Sequence, residues 1–182
     1  MNTADKSIDA IDYAIRRRFI FIDSPPNRDV VLKCYQNISD NKDEKSIELL
    51  LFDAVSAIFE SENYFNQEYQ KSDVKLGHTY FLRNNKTNYV DVMIEHFIFQ
   101  VIPILREYLK DGILEIVDDS ILTEHSINEI VLKSNYDLRI NMIADNIMFI
   151  LKKFDDKNNL GDNINNEYIK KFILDLCDKL NY

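Results

Sequence analysis

The residues with the clearest chemical potential are three consecutive arginines near the start of the chain, Arg16, Arg17 and Arg18. A guanidinium group carries five N–H donors and a permanent positive charge, so it can bind anionic groups such as carboxylates and phosphates. Cations are also stabilised at the end of a helix, which gives the arginines a structural explanation as well.

The arginines are predicted to lie in the last turn of a helix over 5–18, because isoleucines recur there at helical spacing, at Ile8, Ile11 and Ile15. The next four residues, 19–22, are apolar on both faces and predict a short buried strand, which ends before a Pro-Pro pair. A strand buried on both faces needs neighbouring strands, and the sequence predicts none nearby. The elements that would flank it are therefore expected outside this chain, and the segment itself is expected to pair with another chain, to pack irregularly or to be poorly ordered.

Helical periodicity dominates the rest of the sequence. Apolar residues recur every three or four positions in five segments, at 28–38, 45–65, 89–109, 136–154 and 167–180. Within the third segment, Pro103 is predicted to kink the helix or start a new turn, and Gly112 to cap its end. Ser126 begins a capping-box pattern that Glu129 completes. With only three glycines and three prolines, the chain is predicted to be mainly α.

Composition excludes several classes of protein. An apolar share of 46% supports a packed core and excludes a disordered chain, and a net charge of −9 disfavours general binding to nucleic acid. Two cysteines, Cys34 and Cys177, are too few for a disulfide framework and predict buried thiols on apolar helix faces. Without a signal peptide or an apolar run of about 18 residues, the expected location is the cytoplasm, with no membrane partner.

The motifs of a self-contained enzyme do not occur in this sequence. The three glycines lie far from the spacing of a phosphate-binding loop, and the three histidines match no zinc-protease pattern. The adjacent acid pairs at 118–119 and 155–156 predict solvated caps and loops, so no metal site is predicted. The chain alone is therefore expected to be catalytically unequipped.

The opening nevertheless resembles a known family. Met-Asn-Thr-Ala-Asp at 1–5 and Asp-Tyr-Ala-Ile-Arg-Arg-Arg-Phe at 12–19 are similar to the second half of an AAA+ nucleotide-hydrolysing core, and more narrowly to the McrB family of restriction motor subunits. Gly-His-Thr-Tyr-Phe at 77–81 resembles a segment of that family's helical lid, and Ile-Pro-Ile-Leu-Arg-Glu-Tyr at 102–108 its final lid helix. The resemblance covers about residues 1–112.

The resemblance implies catalytic roles for the opening residues. Asn2 corresponds to the sensor-1 asparagine, and Arg17 and Arg18 correspond to arginine fingers that act across an oligomer interface. Their position in the motif favours these two over Arg16. Lys6 departs from the family, which has arginine there, and a lysine cannot make the bidentate contact of an arginine.

The resemblance also implies an organisation for the whole chain. Residues 1–24 would be the end of an AAA+ α/β core, 25–112 a helical lid domain, and 113–182 a helical C-terminal extension. His78 and Tyr80 would be the nucleotide-binding residues of the lid. The family's Walker A and Walker B motifs precede sensor 1, so the chain corresponds to the C-terminal part of a larger motor. It is expected to bind no cofactor alone, whereas the full-length parent would bind GTP or ATP with Mg²⁺.

The partners that the family implies are a ring of identical subunits and an McrC-like nuclease, with modified DNA contacted only through other domains. One alternative is a stand-alone, non-catalytic helical interaction domain derived from an AAA+ ancestor. Another is a related AAA+ clade such as the MoxR-like chaperones. A Walker A motif upstream of Met1 would distinguish a motor from an interaction domain.

Overall fold

The computed structural model describes residues 24–38, 46–82, 88–118, 122–132, 135–155 and 162–180. These residues are mainly helical, which confirms the predicted fold class at that level. The helix predicted at 5–18 and the strand predicted at 19–22 lie outside the described residues, so both stay predictions.

Eight α-helices occur within the described residues. They are α1 (Arg28–Ile38), α2 (Ile47–Glu60), α3 (Lys71–Val74), α4 (Tyr89–His96), α5 (Ile102–Lys110), α6 (Ile127–Leu132), α7 (Tyr136–Asp155) and α8 (Asp162–Leu180). A 3-10 helix covers His78–Phe81, and a π-helical turn, Phe97–Val101, joins α4 to α5. The bounds of α1 match the prediction, whereas α8 begins five residues earlier than predicted.

The second helix is shorter than its apolar pattern predicted. It begins after Ser46, whose side-chain oxygen accepts a hydrogen bond from the Leu49 N–H at 3.2 Å. It ends at Glu60, although the predicted helix continued to residue 65. The prediction was wrong there because Phe65 leaves the helical path and forms an antiparallel bridge with Leu114.

Pro103 produces the interruption that the sequence predicted. Proline has no N–H and its ring clashes with the carbonyl four residues back, so regular α-helical bonding cannot continue through it. The chain adopts the π-helical turn just before it, and the N–H of Ile102 donates to the carbonyl of Phe97, five residues back. The helix then resumes as α5, with the proline in its first turn.

Gly112 caps α5 as predicted. Its φ of +71° lies in the left-handed region, which L-residues with a side chain rarely adopt. The Gly112 N–H donates to Leu109 O at 3.3 Å and the Ile113 N–H donates to Tyr108 O at 2.9 Å, which is the Schellman pattern. The turn directs the chain back toward the residues after α2, where Leu114 meets Phe65.

A continuous hydrophobic core joins the residues on the two sides of Gly112. Helix α2 is buried along most of its length and packs against α7, while α8 packs against α4 and the π-helical turn. The two cysteines differ: Cys177 is buried as predicted, whereas Cys34 is only half-buried. The predicted boundary between lid and extension stays a prediction, and apolar packing crosses it.

Cys177 makes stability sensitive to alkaline pH. Burial, reinforced by the nearby Glu48 and Asp178 carboxylates, raises the pKa of its thiol to about 12. An unfolded thiol ionises near pH 8.5. Because the folded pKa is the higher one, this stabilisation is complete below pH ~8.5 and is lost as the pH rises toward 12.

We therefore expect the thermal unfolding temperature to fall between pH 9 and 12, and to fall less steeply in Cys177→Ala. Thermal melts at several pH values in this range measure how steeply the unfolding temperature falls with pH. Between pH 6 and 8 the two proteins should differ by a constant amount, which is the cost of the lost side chain. Parallel curves for both proteins up to pH 12 would contradict the assignment.

Candidate functional site

The described part of the predicted nucleotide site is the 3-10 helix His78–Phe81, which lies beside the start of α1. His78 is half-buried, and its Nδ1 accepts a hydrogen bond from the Asn27 backbone N–H at 3.3 Å. Since Nδ1 is the acceptor, the neutral ring carries its proton on Nε2. His78 therefore offers one fixed N–H donor.

The aromatic residues of this 3-10 helix attach it to the core. Phe81 is buried and meets the Phe52 ring edge-on, with ring centroids 5.5 Å apart. Tyr80 is partly buried and packs against the same core. Packing is thus the contact that the structure shows for Tyr80, and His78 is the more polar member of the predicted pair. Nucleotide binding by either residue stays a prediction.

A polar network lies close to His78, at the start of α1. The Arg28 Nε lies 3.0 Å from Oδ1 and 2.9 Å from Oδ2 of Asp53, on α2. The Tyr136 hydroxyl, at the start of α7, donates to Asp53 Oδ2 at 2.7 Å and accepts from Arg28 Nη2 at 3.5 Å. We call these three side chains the Arg28 network, and it joins the first residues of α1 and α7 to the middle of α2.

Arg28 and Tyr136 keep their charge states over the physiological pH range. Burial lowers the pKa of Arg28, but the hydrogen bonds with Asp53 and Tyr136 outweigh it, and the pKa lies above its ordinary value. Burial also raises the pKa of the Tyr136 phenol, and the neighbouring Asp53 carboxylate raises it further. Arg28 therefore contributes a guanidinium cation and Tyr136 a neutral phenol, and both bond the side chain of Asp53.

A second network holds the segment before α6 against α7. The Tyr64 hydroxyl donates to Asp145 Oδ1 at 2.7 Å, and the other carboxylate oxygen lies 3.4 Å from Nε2 of His125. The Asn146 side chain pairs with the His125 backbone, since its Oδ1 accepts from the N–H at 2.8 Å and its Nδ2 donates to the carbonyl at 2.9 Å. We call this set the Asp145 network.

Of the two hydrogen bonds of the predicted capping box at the start of α6, the one accepted by the serine side chain is present. The Ser126 hydroxyl accepts from the Glu129 N–H at 3.2 Å. The Glu129 carboxylate lies 3.8 Å from Nδ1 of His125, so it faces the imidazole of the Asp145 network.

The predicted catalytic residues Asn2, Arg17 and Arg18 lie outside the described residues, and their roles stay predictions. Sequence reasoning missed the Arg28 network, whose members are 25 and 83 residues from Asp53. The available signal was Asp53 itself, a charged residue within an otherwise apolar stretch of α2. Within the described part of the chain, no cluster of three potential metal ligands occurs and no helix could span a membrane.

Comparison with curated proteins finds one relationship of note. Over 120 residues the chain is 32% identical to the Type IV methyl-directed restriction enzyme EcoKMcrB subunit of Escherichia coli (strain K12). The match covers 61% of this chain and 24% of the relative, so the chain spans about a quarter of that protein's length. No family model and no solved structure matches the chain. The identity supports an McrB-like relationship.

Proposed function

We propose that this chain supplies the sensor-1, arginine-finger and lid region of an McrB-like AAA+ motor in a restriction system for modified DNA. The observation that carries the proposal is the 32% identity to the McrB subunit over 120 residues. The arginine run at 16–18 and the Gly-His-Thr-Tyr-Phe segment at 77–81 are the residues to which the proposal assigns the chemistry.

In this proposal, Asn2 orients the attacking water or a phosphate oxygen, and its amide offers the donor and the acceptor that this needs. Arg17 and Arg18 project into the nucleotide site of a neighbouring subunit and stabilise the charge of the transferring phosphoryl group. The full-length protein binds GTP or ATP with Mg²⁺, assembles as a ring and works with an McrC-like nuclease. DNA is contacted through other domains of the assembly.

The described structure supports a part for His78 in nucleotide binding. Its Nδ1 accepts from Asn27, so Nε2–H remains as a donor that a phosphate or base acceptor can use. Tyr80 contributes mainly by attaching the 3-10 helix to the core. The lid in this proposal is the helical unit that holds this donor in place.

Replacing His78 by alanine in the full-length protein is expected to raise the KM for nucleotide about 5–13-fold, because one lost hydrogen bond costs about 1–1.5 kcal/mol. The effect on kcat should be smaller. Steady-state nucleotide turnover measures both constants. Thr79→Ala is the matched control, since Thr79 is the exposed neighbour on the same 3-10 helix. An equal KM in His78→Ala and the parent protein would remove His78 from the site.

The experiment that tests the whole proposal uses the full-length protein, including everything that its gene encodes before Met1. We expect a Walker A motif in that upstream sequence, nucleotide-dependent assembly and turnover of GTP or ATP. An McrC-like subunit should bind the assembled ring. A full-length protein that lacks the Walker A motif and stays unassembled with either nucleotide would overturn the proposal.

A second candidate is a stand-alone helical interaction domain without catalysis. It is favoured by two leucines near the junction of α6 and α7 that are strongly exposed, Leu132 at 82% and Leu138 at 51%. Exposed apolar side chains of this size suit contact with another protein. The same assembly and turnover measurements separate this candidate from the motor.

A further inference from the structure

We propose that residues 113–182 brace the start of the lid, and that Tyr136 is the positioning residue through which the brace acts on Arg28 and His78. The effect on nucleotide binding rests on the proposed function, whereas the structural brace does not. Tyr136 is the first residue of α7, and Arg28 is the first residue of α1, 108 residues earlier in the chain.

Tyr136 adds a second contact to the guanidinium group, at 3.5 Å, besides its short hydrogen bond to Asp53 at 2.7 Å. Both contacts of Arg28 with Asp53 use the same nitrogen, Nε, at 3.0 and 2.9 Å. This arrangement defines the orientation of the guanidinium group less well than two parallel N–H bonds would, because the group can turn about that nitrogen. Tyr136 accepts from Nη2 and at the same time donates to Asp53 Oδ2, so it holds both partners in one orientation.

Burial makes this arrangement more than a solvated surface ion pair. The side chain of Asp53 is 14% exposed and that of Arg28 is 34% exposed. Hydrogen bonds that are shielded from water are stronger and more costly to leave incomplete. Loss of the Tyr136 hydroxyl therefore leaves a shielded carboxylate oxygen with one donor fewer.

The residues next to Arg28 carry the effect to His78. The Asn27 N–H donates to His78 Nδ1, and the Asn27 side-chain oxygen accepts from the Asp29 N–H at 2.9 Å. The turn at 27–29 is thus held by His78, by its own cap and by the Arg28 network. When Arg28 loses one of its contacts, the Asn27–His78 hydrogen bond loosens, and the direction of the His78 Nε2–H donor is less well defined.

The first test uses the chain itself, without nucleotide. Tyr136→Phe removes one hydroxyl, and Tyr64→Phe is the matched control, because its hydroxyl also donates to a carboxylate at 2.7 Å but in the Asp145 network. We expect Tyr136→Phe to speed amide exchange at Asn27 about 3–10-fold and to shift the ring nitrogen resonances of His78. Tyr64→Phe should change neither.

Two results would overturn the brace. One is a Tyr136→Phe protein with unchanged Asn27 exchange and unchanged His78 resonances, and the other is an equal change in both variants. If Tyr136→Phe does not fold, Asp53→Asn provides the second variant. It removes the charge that Arg28 and Tyr136 share, and it should alter the same two signals.

The second test uses the full-length motor. Tyr136→Phe is expected to raise the KM for nucleotide about 3–10-fold with kcat nearly unchanged, while Tyr64→Phe leaves both constants unchanged. A Tyr136→Phe protein that loses only thermal stability contradicts a positioning role. Absence of turnover in the unsubstituted protein overturns the proposed function and leaves the spectroscopic result as the measure of the brace.

Discussion

Replacing Arg17 or Arg18 by alanine in the full-length protein is expected to lower nucleotide turnover by about 10³–10⁵-fold. An arginine finger stabilises charge that is greatest in the transition state. We therefore expect the loss in kcat, whereas nucleotide affinity should stay near the parent value. Single-site variants, assayed for turnover and for nucleotide binding, separate the two effects.

Arg16→Ala is the matched control for the two finger variants. It removes the same side chain from the same run, and the family position that favours Arg17 and Arg18 predicts a far smaller loss of turnover. Since a finger acts on the neighbouring subunit, mixed assemblies give a second check. A finger variant should regain turnover when it is mixed with subunits whose own nucleotide site is inactivated. Intact turnover in both finger variants would show the assignment to be wrong.

Phe59→Ala is expected to lower the free energy of unfolding by about 3–5 kcal/mol, the largest stability loss from a single substitution that we predict. Phe59 is fully buried at the end of α2. Its ring centroid lies 6.1 Å from that of Phe65 and 6.2 Å from that of Tyr108. Its removal leaves a cavity among α2, the following turn and α5. Urea denaturation measures the loss.

Phe99→Ala provides the matched control, because it is the same chemical change at a side chain that is 66% exposed. Exposed substitutions generally change stability by about 0.5 kcal/mol or less. Similar losses in the two variants would mean that the ring cluster around Phe59 contributes little beyond what any exposed phenylalanine does.

Local signals in the sequence predicted much of the helical structure. The apolar period predicted α1 and most of α7, Pro103 predicted the interruption before α5, and Gly112 predicted its cap. Each of these signals acts within a few residues of its own position. A proline lacks its N–H and a glycine tolerates positive φ in any tertiary setting, so such features can be read without knowing the fold.

Features set by distant partners could not be predicted in the same way. The end of α2 depends on the bridge between Phe65 and Leu114, and the apolar pattern after residue 60 gives no sign of that partner. His78 was singled out only by resemblance, and its hydrogen bond comes from a residue 51 positions away. The Arg28 network was missed for the same reason, because periodicity describes one element at a time.

The packing of α7 on α2 also has a consequence for synthesis on the ribosome. The end of α7 follows the end of α2 by about 95 residues, so the apolar face of α2 is translated long before its cover exists. At about 5–20 residues per second, that face waits roughly 5–20 s. During this interval the part of α2 that later packs on α7 is uncovered in the nascent chain, and a transcript that stops before α7 yields a chain in which that surface stays uncovered.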